Sequence, residues 1–244
     1  MIEFRKDFYA DVRTEDRSRT TISYKAGVLE EMKPREERRA FLRVYDGRMW
    51  YYASVTDLAH LQKTLDGLYA AATPNGEILN DPVVRRFECN RDSRMQFTNA
   101  SVRNVPAEEK QALLRSYLPL LTEDACVTMP EGSYVDRSSV FHFQSSLGAD
   151  ITYDYQTCGL SFYCSMTEGE KKFSGHWQKG AIRFDELKGL TEEIRSAVAE
   201  QTAFMRNSVP VEPGKYPVVL SPEAAGVFAH ESFGHKSESD FMLS

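Results

Sequence analysis

Hydrophobic positions along this chain change their period several times, and each change marks an element. Between Phe41 and Ala53 two β-prone runs flank Asp46-Gly47, a dipeptide that supplies positive φ for a two-residue hairpin turn. Leu58, Leu61, Leu65, Leu68 and Tyr69 then recur at three- and four-residue steps, which predicts an amphipathic helix. Ser54 or Thr56 can cap its start, and Pro74-Asn75-Gly76 closes the unit with a turn. An earlier strand around Thr20 to Leu29 is expected to pair with the hairpin. Residues 1–76 therefore read as a strand-hairpin-helix unit.

A second unit is expected over 77–209. Pro106, Ala107, Glu108 and Glu109 open a helix running to about Leu118, with acids in its first turn where the helix dipole favours them. From Ala125 to Gln178 runs rich in Tyr, Phe, Val and Thr predict antiparallel strands. Turns fall at Leu147-Gly148-Ala149-Asp150 and at Glu168-Gly169-Glu170. A helix from about Leu190 to Asn207 ends the unit, and Pro210, Pro213 and Gly214 form a linker. Strands first and helices at the segment ends predict an α+β fold of antiparallel sheets with flanking helices, not a βαβ repeat. Residues 215–244 differ in character. Pro217 to Leu220 reads as a buried strand, and Ser221-Pro222-Glu223 is an N-cap, a first-turn proline and an acid. The helix that follows is apolar on most of its surface and needs a partner to cover it. It reads as the opening of a third domain whose remainder lies beyond this chain.

Composition narrows the class. The chain has 244 residues, 41% hydrophobic and 27% charged, enough to bury a core and too apolar for intrinsic disorder. Thirty basic against 36 acidic residues leave a net charge of -6, which argues against nucleic-acid binding through a global field. No apolar run has membrane-spanning length, and the charged start (MIEFRKDFYADVR) is not a signal peptide. Four cysteines without paired short spacing point to a reducing compartment. The expectation is a cytoplasmic globular protein with no membrane or nucleic-acid partner.

The feature above background is His230-Glu231-Ser232-Phe233-Gly234-His235. Two imidazoles can bind zinc, and an adjacent carboxylate can take a proton from a water held by the metal. The familiar zinc-protease helix separates its histidines by four residues, about 40° around the helix. Here the separation is five, so a regular helix would splay the side chains by about 140°. They converge only if the helix widens or breaks, and Gly234 stands where a bulge costs least. Other candidates carry less. Cys158 and Cys164 share strand parity but not a zinc spacing, and Cys89 and Cys126 are isolated. His142 and His176 sit in strand-like runs. Arg85, Arg86, Arg91 and Arg94 are interleaved with Asp81, Glu88 and Asp92, the pattern of a solvated face.

The stretch from Pro217 to Asp240, PVVLSPEAAGVFAHESFGHKSESD, resembles the signature of the TldD/PmbA metallopeptidases, in particular the TldD branch with its H-E-x-x-x-H motif. Gly234 precedes the second histidine, and Glu238 and Asp240 fall where that family carries acids. Weaker agreement runs from Val44 to Ala72. The resemblance implies a cytoplasmic zinc peptidase acting on small or unfolded peptides, as a homodimer or with a PmbA-type subunit. His230 and His235 match the zinc ligands and Glu231 the general base. Ser232 stands where a small residue, often alanine, is usual. The third ligand it implies is a cysteine of a C-terminal domain that this chain does not reach. A catalytic zinc normally has three protein ligands, so the chain is expected to be an inactive N-terminal portion. The competing reading is a non-catalytic module that dimerises or binds peptide along a sheet edge.

Overall fold

The computed structural model describes residues 2–239. In β1 (Tyr9–Lys25), Val12, Ile22 and Tyr24 are buried, whereas Arg13, Arg19 and Lys25 are exposed. That is the period of two expected of a strand covered on one face. Ala26 and Gly27 take positive φ of 48° and 78° and turn the chain into β2 (Val28–Tyr45). The strand expected at Thr20–Leu29 is thus the end of one long strand and the start of another. β3 (Trp50–Val55) completes the Asp46-Gly47 hairpin. Its connection has four residues rather than two, because the Asp46 carboxylate accepts from the backbone N–H groups of Arg48 and Met49 at 2.8 Å each.

The helix expected from Leu58 opens with a 3-10 turn and continues as α1 (Leu61–Ala71). Its cap is Asp57, which accepts from Ala59 N at 3.0 Å. Neither Ser54 nor Thr56 serves, since β3 already runs to Val55. Then follow β4 (Arg91–Arg94), α2 (Ala107–Tyr117), β5 (Val127–Ser145), β6 (Asp150–Glu168), β7 (Lys171–Ala181) and α3 (Thr191–Asn207). One seven-stranded sheet results, in the order β3-β2-β1-β5-β6-β4, with β7 also paired to β6. Every pairing is antiparallel except β4 with β6, and the fold is α+β. β1 pairs with β2 on one side and β5 on the other, so residues 1–76 and 77–209 share this sheet. Contacts accordingly group Met1–Asn207 as one unit and Ser208–Ser244 as another. No helix among the described residues is long and apolar enough to cross a membrane.

Helices cover one face of the sheet. α1 lays Leu65 and Tyr69 against Val12, Leu42 and Val44. α2 and α3 bring Leu114, Ile194 and Val198 onto Ile22, Tyr134, Leu160 and Phe162. Each such side chain, fully buried, stabilises the fold by about 1.5–3 kcal/mol. A buried ion pair fastens α2 to the sheet: Lys110 Nζ lies 2.6 Å from Asp136 Oδ2, both side chains at most 3% exposed. Tyr134 Oη donates to Asp136 at 2.8 Å, Thr20 N donates to it at 2.8 Å, and Lys110 donates to Thr20 Oγ1 at 3.0 Å.

On the opposite face Glu15, 6% exposed, is the hub of a second network. Burial opposes its ionisation, but hydrogen bonds from Ser139, Arg17, Arg39 and Arg137 outweigh that and bring the carboxyl down to about 2. A depressed carboxylate contributes stability that is present above the unfolded value of about 4.5 and is lost as pH falls through about 2. Glu15→Gln is therefore expected to cost on the order of 2–3 kcal/mol at neutral pH. Urea melts of both forms between pH 7 and pH 2 check this, and the gap should narrow below about pH 4.5.

The second unit departs from one expectation. Pro217–Leu220 forms no strand, and Val218 and Val219 are 74% and 97% exposed. No neighbouring strand among the described residues pairs with them, and a lone strand leaves its ladder groups to water.

Candidate metal centre

The second unit is built on α4 (Pro222–Ala229). Ser221 Oγ accepts from Ala224 N at 3.3 Å, Pro222 occupies the first turn, and Glu223 complements the helix N-terminus. The helix begins where the sequence predicts. It then widens: His230–Gly234 is a π turn, followed by a 3-10 turn over His235–Ser237. The N–H of His235 donates to the carbonyl of His230, five residues back, which is the bond that defines a π turn. Ser232 Oγ donates to Phe228 O at 2.6 Å and Ser237 Oγ to Phe233 O at 3.1 Å.

Widening cancels the splay of a five-residue spacing. The imidazoles of His230 and His235 lie with centroids 4.5 Å apart and planes at 59°. Gly234 contributes differently from the expectation. Its φ of -60° and ψ of -50° are ordinary helical values, so the glycine is not needed for an unusual backbone. A Cβ there would stand 3.3 Å from His230 Nδ1, tighter than ordinary contact, and its absence leaves room for the ring.

Glu231 Oε2 lies 3.4 Å from His235 Nδ1, and Glu238 Oε1 lies 3.8 Å from His235 Nε2. The two carboxylates thus address opposite nitrogens of one ring. Ligand atoms of His230, His235 and Glu238 all fall within 4.8 Å of one another, the one such trio among the described residues. Ligands bound to a single zinc at about 2 Å are about 3.3 Å apart, and exposed side chains can close that gap by rotamer change. Two imidazoles and one carboxylate are a donor set that suits zinc. Glu238 had no assigned role in the sequence. Its signal was the step of three from His235, which returns to the same side of the segment. Asp240 lies outside the described residues.

The remaining candidates have ordinary partners. Cys158 and Cys164 are core residues, and burial pushes their thiols up to about 12 and about 11, away from the thiolate a metal needs. Cys126 is also buried, and the exposed Cys89 donates to Leu147 O at 3.0 Å. His142 Nε2 sits 2.6 Å from Asp150 Oδ1, and His176 packs on the Tyr163 ring at 4.5 Å.

Comparison with known proteins places this geometry in context. The profile described as PmbA/TldA metallopeptidase domain 1 matches residues 10–72. A metalloprotease of Methanocaldococcus jannaschii is 24% identical over 238 residues, covering 96% of this chain and 52% of that protein. A zinc metalloprotease TldD homolog of Saccharolobus solfataricus is 48% identical over 112 residues, 43% of this chain and 24% of that protein. The chain spans about half the length of the first of these curated relatives. Among solved structures, a Thermotoga maritima protein called, provisionally, a modulator of a DNA gyrase superposes with a TM-score of 0.69 at 17% identity. The match covers 85% of this chain and 46% of that one. TldE from Thermococcus kodakarensis superposes with a TM-score of 0.64 at 10% identity, over 84% of this chain and 46% of its own.

Proposed function

The chain belongs to the TldD/PmbA family, and from that premise we propose that its second unit carries the zinc-binding segment of a metallopeptidase that cleaves small or unfolded peptides. The observation that carries the reading is the π turn, which brings His230 and His235 to one side of a helix at a spacing that otherwise separates them. Homologues named metalloprotease support the same class.

In this reading His230, His235 and Glu238 hold the zinc, and a C-terminal cysteine completes or replaces the carboxylate. Bound there, zinc supplies a Lewis acid for the peptide carbonyl and lowers the pKa of a water. Glu231 acts as general base: it accepts the proton of the attacking water and passes it to the leaving amine. It lies against His235 Nδ1 at 3.4 Å and is 60% exposed, so it can hold that ring in the tautomer that leaves Nε2 for the metal and still turn toward substrate. The assembly that fits this reading is a homodimer or a heterodimer with a PmbA-type subunit, in the cytoplasm. A chelator tests the proposal. Peptide hydrolysis by the full-length protein should stop when zinc is stripped and return when zinc alone is restored. Hydrolysis that persists in the zinc-free protein contradicts it.

A further inference from the structure

Among the described residues of the first unit, the face of the sheet turned away from the helices is covered at one end, where Ile78, Val84 and Phe87 pack on Tyr9, Tyr45 and Trp50. Beyond the Arg43–Asp11 ion pair no helix of the first unit lies on it. Arginine dominates this open stretch. On three adjacent strands Arg35, Arg19 and Arg137 stand directly opposite one another. Like charges in register are destabilising, and neither Arg19 nor Arg35 has a carboxylate within 4 Å among the described ion pairs. Arg13, Arg17 and Arg39 continue the same face along β1 and β2. Glu15 fixes three of these guanidiniums, from Arg17 at 2.9 Å, Arg39 at 2.6 Å and Arg137 at 2.8 Å. One carboxylate held by three cations leaves a preorganised positive surplus.

Aromatic rings flank the arginines. Arg13 lies over Phe143 at 5.8 Å, and Phe141 stacks on Tyr153 at 4.9 Å. A cleft of about 340 Å³ opens between Arg13, Arg39, Arg137, Phe41 and Phe141. The chain as a whole carries -6, so this positive stretch is local, and it marks where an anionic partner would be drawn.

We propose that this open face binds an extended acidic polypeptide segment, with its carboxylates on the arginines. Spacing favours a polypeptide. Arg17 and Arg19 lie two residues apart on one strand, about 6.7 Å, the same distance that separates alternate side chains of an extended peptide laid along it. Glu15 and Glu37, set among the arginines, oppose the continuous charge of a nucleic-acid backbone. The inference stands apart from the metal centre, since none of these residues belongs to it.

Fluorescence anisotropy with the 244-residue chain tests the proposal. The probe is a labelled peptide of about twelve residues alternating Glu and Thr. Comparators are the same peptide with Lys for Glu and a single-stranded oligothymidine of similar charge. The acidic peptide should bind more tightly than either. The exposed double variant Arg19→Glu/Arg35→Glu should weaken it about tenfold or more, whereas Lys63→Glu on α1 should leave it unchanged. Circular dichroism and a thermal melt confirm that both variants fold. Equal binding of the acidic and Lys peptides, tighter binding of the oligothymidine, or indifference to the double variant would each overturn the proposal. So would a wild-type dimer that the double variant abolishes, because a second copy would then be the occupant.

Discussion

In the full-length protein, replacing Glu231 with glutamine is expected to lower peptide hydrolysis about a hundredfold or more while bound zinc stays at the wild-type level. Glutamine keeps the length and shape of the side chain and can still accept a hydrogen bond from His235 Nδ1, 3.4 Å from the native carboxylate. What it loses is the basicity needed to take a proton. Glu231 also stands outside the trio of His230, His235 and Glu238, so its replacement removes no metal donor. Glu238→Gln makes the contrast, since it should lower zinc occupancy first and activity as a consequence. Elemental analysis beside a peptidase assay separates the two. Near-normal turnover in Glu231→Gln would remove this residue from the mechanism.

Lys110→Met is expected to destabilise the first unit by about 3–5 kcal/mol. Methionine fills much of the lysine's volume, so the loss is chiefly electrostatic. Asp136, 2% exposed, would be left without its cation and with only Tyr134 Oη and Thr20 N as partners, and a buried carboxylate without a counterion is costly whether it stays charged or takes up a proton. For a unit of this size the melting temperature should fall by roughly 6–20 °C. Adding Asp136→Asn removes the orphan charge and should recover part of the loss. A calorimetric melt of the single and double variants checks both expectations. A drop under about 1 kcal/mol would mean that water reaches the pair.

Local signals made part of this fold legible. The Asp46-Gly47 hairpin, α1, α2 and α3 follow from turn chemistry and from apolar steps of three and four, because each depends on neighbours in sequence. The length of β1 and β2 was not legible. From Glu30 to Arg39 the chain reads as charge without alternation, and it forms a strand because carboxylates and guanidiniums meet across the sheet, as in Arg38 with Asp16 and Arg39 with Glu15. Such partners are distant in sequence, and no window along the chain displays them. Pro217–Leu220 fails the other way. Its β-branched residues supply propensity, but a strand needs a ladder, and the described residues provide none. In the second unit the angular mismatch of His230 and His235 foretold a widened helix, since helix geometry alone sets it. The part of Gly234 was mistaken, because whether a glycine serves its backbone or its neighbour's ring depends on three-dimensional contact. Glu238 went unassigned for the same reason.

Zinc-edge X-ray absorption on the zinc-loaded full-length protein, compared with His230→Ala, bears most directly on the claim that a π turn pairs two histidines on one metal. The wild type should show two imidazole nitrogens at about 2.0–2.1 Å, and His230→Ala should show one imidazole or no retained zinc. A wild-type spectrum with no imidazole pair, or one that His230→Ala leaves unchanged, would contradict it.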